Sequence, residues 1–318
     1  MSKLSERKTR YQIASKAIES LSEEEINMLL LQGEQCHKGI GGTGVKLTID
    51  SVPIFAKVIP LTELELSHKF STKNLFNLPT FYQYGVGSSG FGGWRELKSH
   101  QMTSDWVLND LCENFPLMYG FTIIEKSNPQ NMSNLNDYVK YWGGSQAIER
   151  KMTELINSKQ SLVVFLEYIP FTLRTHREKL NCNVIEEEIF KVTKFLESKD
   201  MIHFDCHSRN ILTDGESLYL SDFGLATSLD FELSNEEIAF FHKNKGYDFA
   251  IGADAICYNS SSRRTEAMSP QLQFLQDKYK DIAQIFHKFI TDLRDDETKN
   301  IQYPQQEIDQ LLVELGYR

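Results

Sequence analysis

No apolar stretch of this chain approaches the ~20 residues needed to span a bilayer, and no signal-peptide core opens it, so the sequence points away from membranes. Excess basic charge is also missing. Lys and Arg total 34 against 44 Asp and Glu, a formal charge of −10, which argues against general affinity for nucleic acid or anionic lipid. The five cysteines (Cys36, Cys112, Cys182, Cys206, Cys257) are scattered without a C-x-x-C pair. That pattern excludes a disulfide framework or a zinc site of ordinary spacing and fits reduced thiols in a cytoplasmic protein. There is no internal repeat, and no proline lies between Pro170 and Pro270. What remains is 318 residues with 41% hydrophobic and 11% aromatic content, enough to bury a core in two modest domains or one bilobal one.

The densest chemistry lies between Met201 and Ala226, M-I-H-F-D-C-H-S-R-N-I-L-T-D-G-E-S-L-Y-L-S-D-F-G-L-A. Asp205 stands five positions before Asn210, and Asp222-Phe223-Gly224 follows a short apolar strand. Were the segment to hold Mg²⁺, which takes oxygen ligands and keeps most of its waters, one amide and one carboxylate, Asn210 and Asp222, would suffice. Asp205 is then available to accept a hydrogen bond from an attacking hydroxyl. Asp214-Gly215 predicts a hairpin turn between Ile211-Leu212 and Leu218-Tyr219-Leu220. Ile189, Val192, Phe195 and Leu196 share one face of a helix predicted over 186–198.

Upstream, residues 4–32 read as two helices, with Ser22 and Glu25 forming a capping-box signature. Gly39-Ile40-Gly41-Gly42-Thr43-Gly44 satisfies G-x-G-x-x-G, a weak signal alone. The strand predicted from Val52 to Ile59 follows it and carries Lys57, placed to reach phosphates cradled by glycine-loop N–H groups. The partner of Lys57 is open between Glu96, on a helix predicted to run to about Leu111, and Glu63 or Glu65 just after the strand. With Glu96, residues 60–93 become an insertion whose glycine-rich end, Gly85 to Gly93, reads as a mobile linker. A second, mostly helical insertion spans 126–160. Leu162 to Leu166 is a buried strand, followed by Glu167-Tyr168-Ile169-Pro170.

In this order, Gly39 to Gly44, Lys57, Glu96, Glu167 to Pro170, Asp205 to Asn210 and Asp222 to Gly224 resemble the protein-kinase superfamily over residues 39–226. The loop H-x-D-x-H-x-x-N is also similar to that of aminoglycoside phosphotransferases. The resemblance implies an α+β, bilobal fold: a helical extension at 1–38, a sheet-rich N-lobe at 39–168 and a helical C-lobe at 169–318. It implies ATP and Mg²⁺ in the cleft, bound by Gly39, Gly41, Gly42, Thr43, Gly44 and Lys57, with adenine on the backbone of Glu167 and Ile169 and metal on Asn210 and Asp222. It implies catalysis by Asp205, Lys57 and Glu96, and a protein Ser/Thr hydroxyl as acceptor. Three departures stand out. Phe204 replaces the arginine of H-R-D. His207 stands where protein kinases carry lysine, with Arg209 as a substitute cation. The A-P-E motif is missing, so the peptide-docking platform must be abbreviated or rebuilt. A small-molecule kinase and an inactive scaffold are the alternative readings.

Beyond Thr227 the pattern predicts helices at about 234–257, 264–295 and 304–316, with a polar break from Asn259 to Arg264. Phe240, Phe241, Tyr247 and Phe249 form a candidate core cluster. Asp248 either anchors the catalytic loop or lies exposed on a helix.

Overall fold

The computed structural model describes residues 2–125, 134–257 and 270–317. The break at Asn259–Arg264, the start of the helix expected from 264 and part of the second insertion lie outside these residues. Mixed α and β structure is divided between two compact units: residues 1–82 with 87–168, and residues 83–86 with 169–318.

The first unit is built on a five-stranded antiparallel sheet in the order β1-β2-β3-β5-β4, comprising β1 (Glu34–Gly39), β2 (Gly42–Ile49), β3 (Val52–Leu61), β4 (Met118–Ile124) and β5 (Gln160–Glu167). The apolar run Leu162 to Leu166 fits the interior place of β5, between β3 and β4, because a strand covered on both faces cannot alternate with polar residues. Two helices precede the sheet, α1 (Lys3–Glu19) and α2 (Glu23–Gln32). Ser22 and Glu25 form the expected reciprocal cap of α2.

Between β3 and β4 come α3 (Glu63–Ser67) and α4 (Gly93–Leu108). Trp94 and Leu97 of α4 pack against Ile59, Leu61, Leu162, Val164 and Leu166, forming the core that holds α4 on the sheet. After β4 lie α5 (Leu135–Tyr141) and α6 (Gln146–Ile156).

Two expectations fail in this unit. The helix at 93 stops at Leu108, where Asn109 caps it and Asp110 turns left-handed at φ 59°. The glycine-rich stretch is not a loose linker. The amide of Gly93 donates to Glu65 Oε1 at 2.8 Å, and the fully buried amine of Lys151 on α6 donates to the carbonyls of Ser89 (3.4 Å) and Gly90. Buried carbonyls need donors, and a lysine from a neighbouring helix supplies them.

The second unit is mainly helical. It contains β6 (Phe171–Thr172), α7 (Leu173–His176), α8 (Cys182–Ser198), β7 (Met201–Ile202), β8 (Ile211–Thr213), β9 (Leu218–Leu220), β10 (Thr227–Ser228), α9 (Asn235–His242), α10 (Tyr247–Cys257), α11 (Pro270–Asp295) and α12 (Gln305–Glu314). Ile185, Ile189, Phe190, Val192 and Leu196 form the buried face of α8, and Phe190 stacks on Phe249 of α10 with ring centroids 4.0 Å apart. The single helix expected over 234–257 is broken into α9, which ends at His242, and α10, and Gly246 at φ +77° just before Tyr247 keeps the α-helical path from running through. Among the described residues, no helix is long and apolar enough to cross a membrane, and no disulfide joins the cysteines.

Candidate functional site

Each unit gathers part of the expected chemistry. In the first, the turn Ile40-Gly41 joins β1 to β2 as a two-residue hairpin, with Gly39 opposite Gly42. Gly39 therefore ends β1, Gly41 sits in the turn, and Gly42, Thr43 and Gly44 open β2. Gly42 has φ +150°, and a Cβ there would meet the carbonyl oxygen of Val58 at 2.5 Å, so neither its backbone nor its surroundings admit a side chain.

Gly44 lies opposite Lys57 in the β2–β3 register. The Lys57 amine, on a residue only 5% exposed, reaches Glu96 Oε1 at 2.5 Å. Glu96 is thereby the partner. Glu65 is occupied elsewhere, accepting from Thr62 N, Thr62 Oγ1 and Gly93 N, while Glu63 is exposed. The T-x-x-E spacing of Thr62 and Glu65 is itself a capping box and was the available sequence signal against Glu65. One turn after Glu96 on α4, His100 is buried, with Nε2 3.7 Å from the same Glu96 oxygen.

Glu167 ends β5 opposite Ile54. Its carboxylate is clasped by Arg7 of α1, whose Nε lies 3.0 Å from both oxygens and whose Nη2 lies 2.7 Å from Oε2. Arg7 also donates to the carbonyls of Glu113 and Phe115. Sequence reasoning missed Arg7, because on the surface of a predicted helix it resembles any other basic residue. Ile169, expected to act beside Glu167, is the first residue of the second unit's main segment.

In the second unit, the loop 203–210 is held from within and from below. Asp248 on α10 accepts the amides of His203 (2.6 Å) and Phe204 (2.9 Å), which settles its role as a buried anchor. Burial pushes its carboxyl up to about 7, against those two N–H groups. Phe204 has φ 61°, an outlier for a bulky side chain and a strain of ~1–3 kcal/mol that its surroundings must hold. His203 Nε2 lies 3.0 Å from the Ser221 carbonyl, and the Asp205 amide donates to His203 Nδ1 at 3.2 Å.

Asn210 Nδ2 donates to the Asp205 carbonyl (3.0 Å) and to Asp205 Oδ2 (2.9 Å). With its amide nitrogen so committed, the side-chain oxygen of Asn210 is the atom that would face a hard cation such as Mg²⁺. Ser221 N and Oγ both donate to the Asn210 carbonyl at 2.9 Å, bringing the neighbouring Asp222 beside the loop. Asp222 is left-handed at φ 65° and opens the 3-10 turn Phe223–Leu225. Among the described residues, no group of three or more His, Cys, Asp or Glu side chains is placed to hold a metal.

His207 Nε2 lies 3.7 Å from Asp205 Oδ1. Its ring is 40% exposed, yet the surrounding packing lowers its pKa, with Asp222 opposing that shift, so the neutral imidazole is favoured. Arg209 is exposed. Arg174 of α7, absent from the sequence reading, also approaches, its amide donating to the Ser208 carbonyl at 2.9 Å. A 30 Å³ cavity lined by Met201, Ile202, Asp248, Phe249, Leu312 and Tyr317 contains none of the expected catalytic side chains.

No protein-family model matches the chain, and no curated protein matches it. The functional reading therefore rests on geometry and residue chemistry.

Proposed function

We propose that the chain is an ATP- and Mg²⁺-dependent phosphotransferase with a protein-kinase-like bilobal fold, acting on a protein Ser/Thr hydroxyl in the cytoplasm. The observation that carries it is the Asp205–Asn210 pair: one amide commits its nitrogen to the carboxylate that meets the acceptor and leaves its oxygen for a metal. The Lys57–Glu96 pair supports the same reading, as a buried ammonium aimed by a carboxylate.

In this reading Lys57 holds the α and β phosphates, and the glycine hairpin Gly39–Gly44 covers them with backbone N–H groups. The backbone of Glu167 and Ile169 takes adenine, and Asn210 and Asp222 hold Mg²⁺, which when bound neutralises phosphate charge. Asp205 orients the acceptor hydroxyl. The acceptor oxygen forms a bond to the γ-phosphorus, the bond to the β–γ bridging oxygen breaks, and its electron pair leaves with ADP. The acceptor proton passes to Asp205. Arg209 and Arg174 are the nearby cations, since His207 tends toward neutrality.

The test is incubation with Mg·ATP and casein, followed by mass measurement of both proteins. A gain of phosphoryl groups is expected, abolished in Asp205→Ala with nucleotide affinity retained. Loss of Mg²⁺-dependent nucleotide binding is expected in Asp222→Ala. Full turnover in Asp205→Ala would sink the reading.

One observation favours a second acceptor class. Only Ala226 to Ser234 separate the 3-10 turn at Phe223–Leu225 from α9, leaving little chain for a peptide platform. ATP consumption triggered only by small hydroxyl compounds would move the assignment to a small-molecule kinase.

A further inference from the structure

Residues Gln83–Val86 belong to the second unit, although the chain on both sides of them belongs to the first. They are anchored at two points. The Gln83 side chain donates to the Leu225 carbonyl, immediately after Asp222-Phe223-Gly224. Tyr84 is 2% exposed, and its hydroxyl donates to Asn244 Oδ1 at 2.8 Å. Its ring meets Phe240, Tyr247 and Phe289 with centroids 5.2–5.7 Å apart, and Phe204 at 6.1 Å. Freeing this segment would strip an aromatic ring from a core, so it is a fixed part of the unit rather than a lid.

The two anchors press Gly85 against the catalytic loop. A Cβ at this position would lie 2.4 Å from Asp205 Oδ1 and 3.1 Å from the Phe204 carbonyl oxygen. Gly85 is not among the glycines with positive φ, so the backbone conformation does not demand glycine here; the space does. Asp205 Oδ2 is the oxygen that accepts from Asn210, whereas Oδ1 faces Gly85 and the His207 ring. A hydroxyl that reaches Oδ1 passes alongside the α-carbon of Gly85.

We propose that segment 83–86 is the fixed wall of the acceptor site, and that Gly85 determines specificity by admitting a hydroxyl on a primary carbon and rejecting a branched one. The inference rests on the phosphotransferase reading and sharpens it to serine over threonine, because a methyl beside the attacking oxygen meets the wall. One methyl against a rigid wall is worth about 10–200-fold in kcat/KM.

The experiment measures transfer from Mg·ATP to two degenerate peptide pools that differ only in carrying serine or threonine as the acceptor, using wild type and Gly85→Ala. Wild type is expected to favour serine by at least about ten-fold. Gly85→Ala is expected to lose at least about ten-fold in kcat/KM for serine with unchanged Mg·ATP affinity. Equal use of both pools by wild type would overturn the inference whether or not the variant folds, as would wild-type transfer by Gly85→Ala. A wild type that labels neither pool, nor casein, nor itself overturns the protein-acceptor reading instead.

Discussion

Arg7 and Glu167, 160 residues apart, form a bidentate ion pair in which both side chains are at most 4% exposed. A buried pair of this kind contributes little over apolar residues, but breaking it leaves the buried Glu167 carboxylate with only the longer contact to the partly exposed Arg10, at 3.4 Å. Arg7→Ala is expected to cost about 3–5 kcal/mol in denaturant unfolding. Arg7→Lys restores only part of that, since an ammonium lacks the planar fork that spans both oxygens. The double variant Arg7→Met/Glu167→Met should recover only part of the loss, because the Glu113 and Phe115 carbonyls still lack their donor; unfolding as severe as in Arg7→Ala would argue against the ion-pair account.

Lys57→Met separates chemistry from stability. Under the proposed phosphotransferase function, losing the Lys57 cation is expected to lower kcat by about 10²–10³-fold, and leaving Glu96 buried beside His100 lowers the melting temperature. Adding Glu96→Gln should restore the melting temperature but not kcat. Recovery of turnover in the double variant would show that Lys57 acts only as a structural partner of Glu96.

Asp248 carries a pH signature. Its folded pKa, about 7, lies above its ordinary 3.8, so the native state holds a proton that the unfolded chain has released. Native protein then binds more protons than unfolded protein between about pH 4 and 7, and stability falls as pH rises through that window, by on the order of 4 kcal/mol. Below the window both states are protonated, and above it the loss is complete. Asp248→Asn removes this slope while also losing one of two amide acceptors. The pH dependence of wild type minus variant, measured by chemical denaturation, should slope downward from pH 4 to 7; a flat difference would contradict it.

Lys151 behaves oppositely. Burial lowers its amine to about 8 from 10.5, so above pH 8 the native state sheds a proton that the unfolded chain retains. Its contribution to stability rises between about pH 8 and 10.5. Lys151→Met abolishes that rise but leaves the Ser89 and Gly90 carbonyls without their donor, and it should be less stable than wild type at pH 9. The comparison of urea midpoints at pH 7 and 9.5 checks both statements.

How much was legible depended on how far apart the partners lie. The hairpin at Asp214-Gly215, the capping box of Ser22 and Glu25, and the strand bearing Lys57 follow from neighbours a few residues away. The break at Gly246 was missed because the apolar pattern runs through a residue whose conformation interrupts it. Glu96 could not be separated from Glu63 and Glu65, since the choice depends on where α4 packs, and only the Thr62–Glu65 cap hinted at it. Gln83–Val86 has no periodicity, and its glycine looked like slack.

Sequence alone determined the inventory of chemical groups and their local spacing: a carboxylate five residues before an amide, a lysine in an apolar strand, glycines in a hairpin. Tertiary structure alone decided which charges are paired, that Asp248 lies beneath the loop, and that Gly85 abuts Asp205. The physical reason is range. Short-range hydrogen bonds and backbone preferences are written in adjacent residues, whereas burial and desolvation, which select long-range partners, exist only once distant segments have packed.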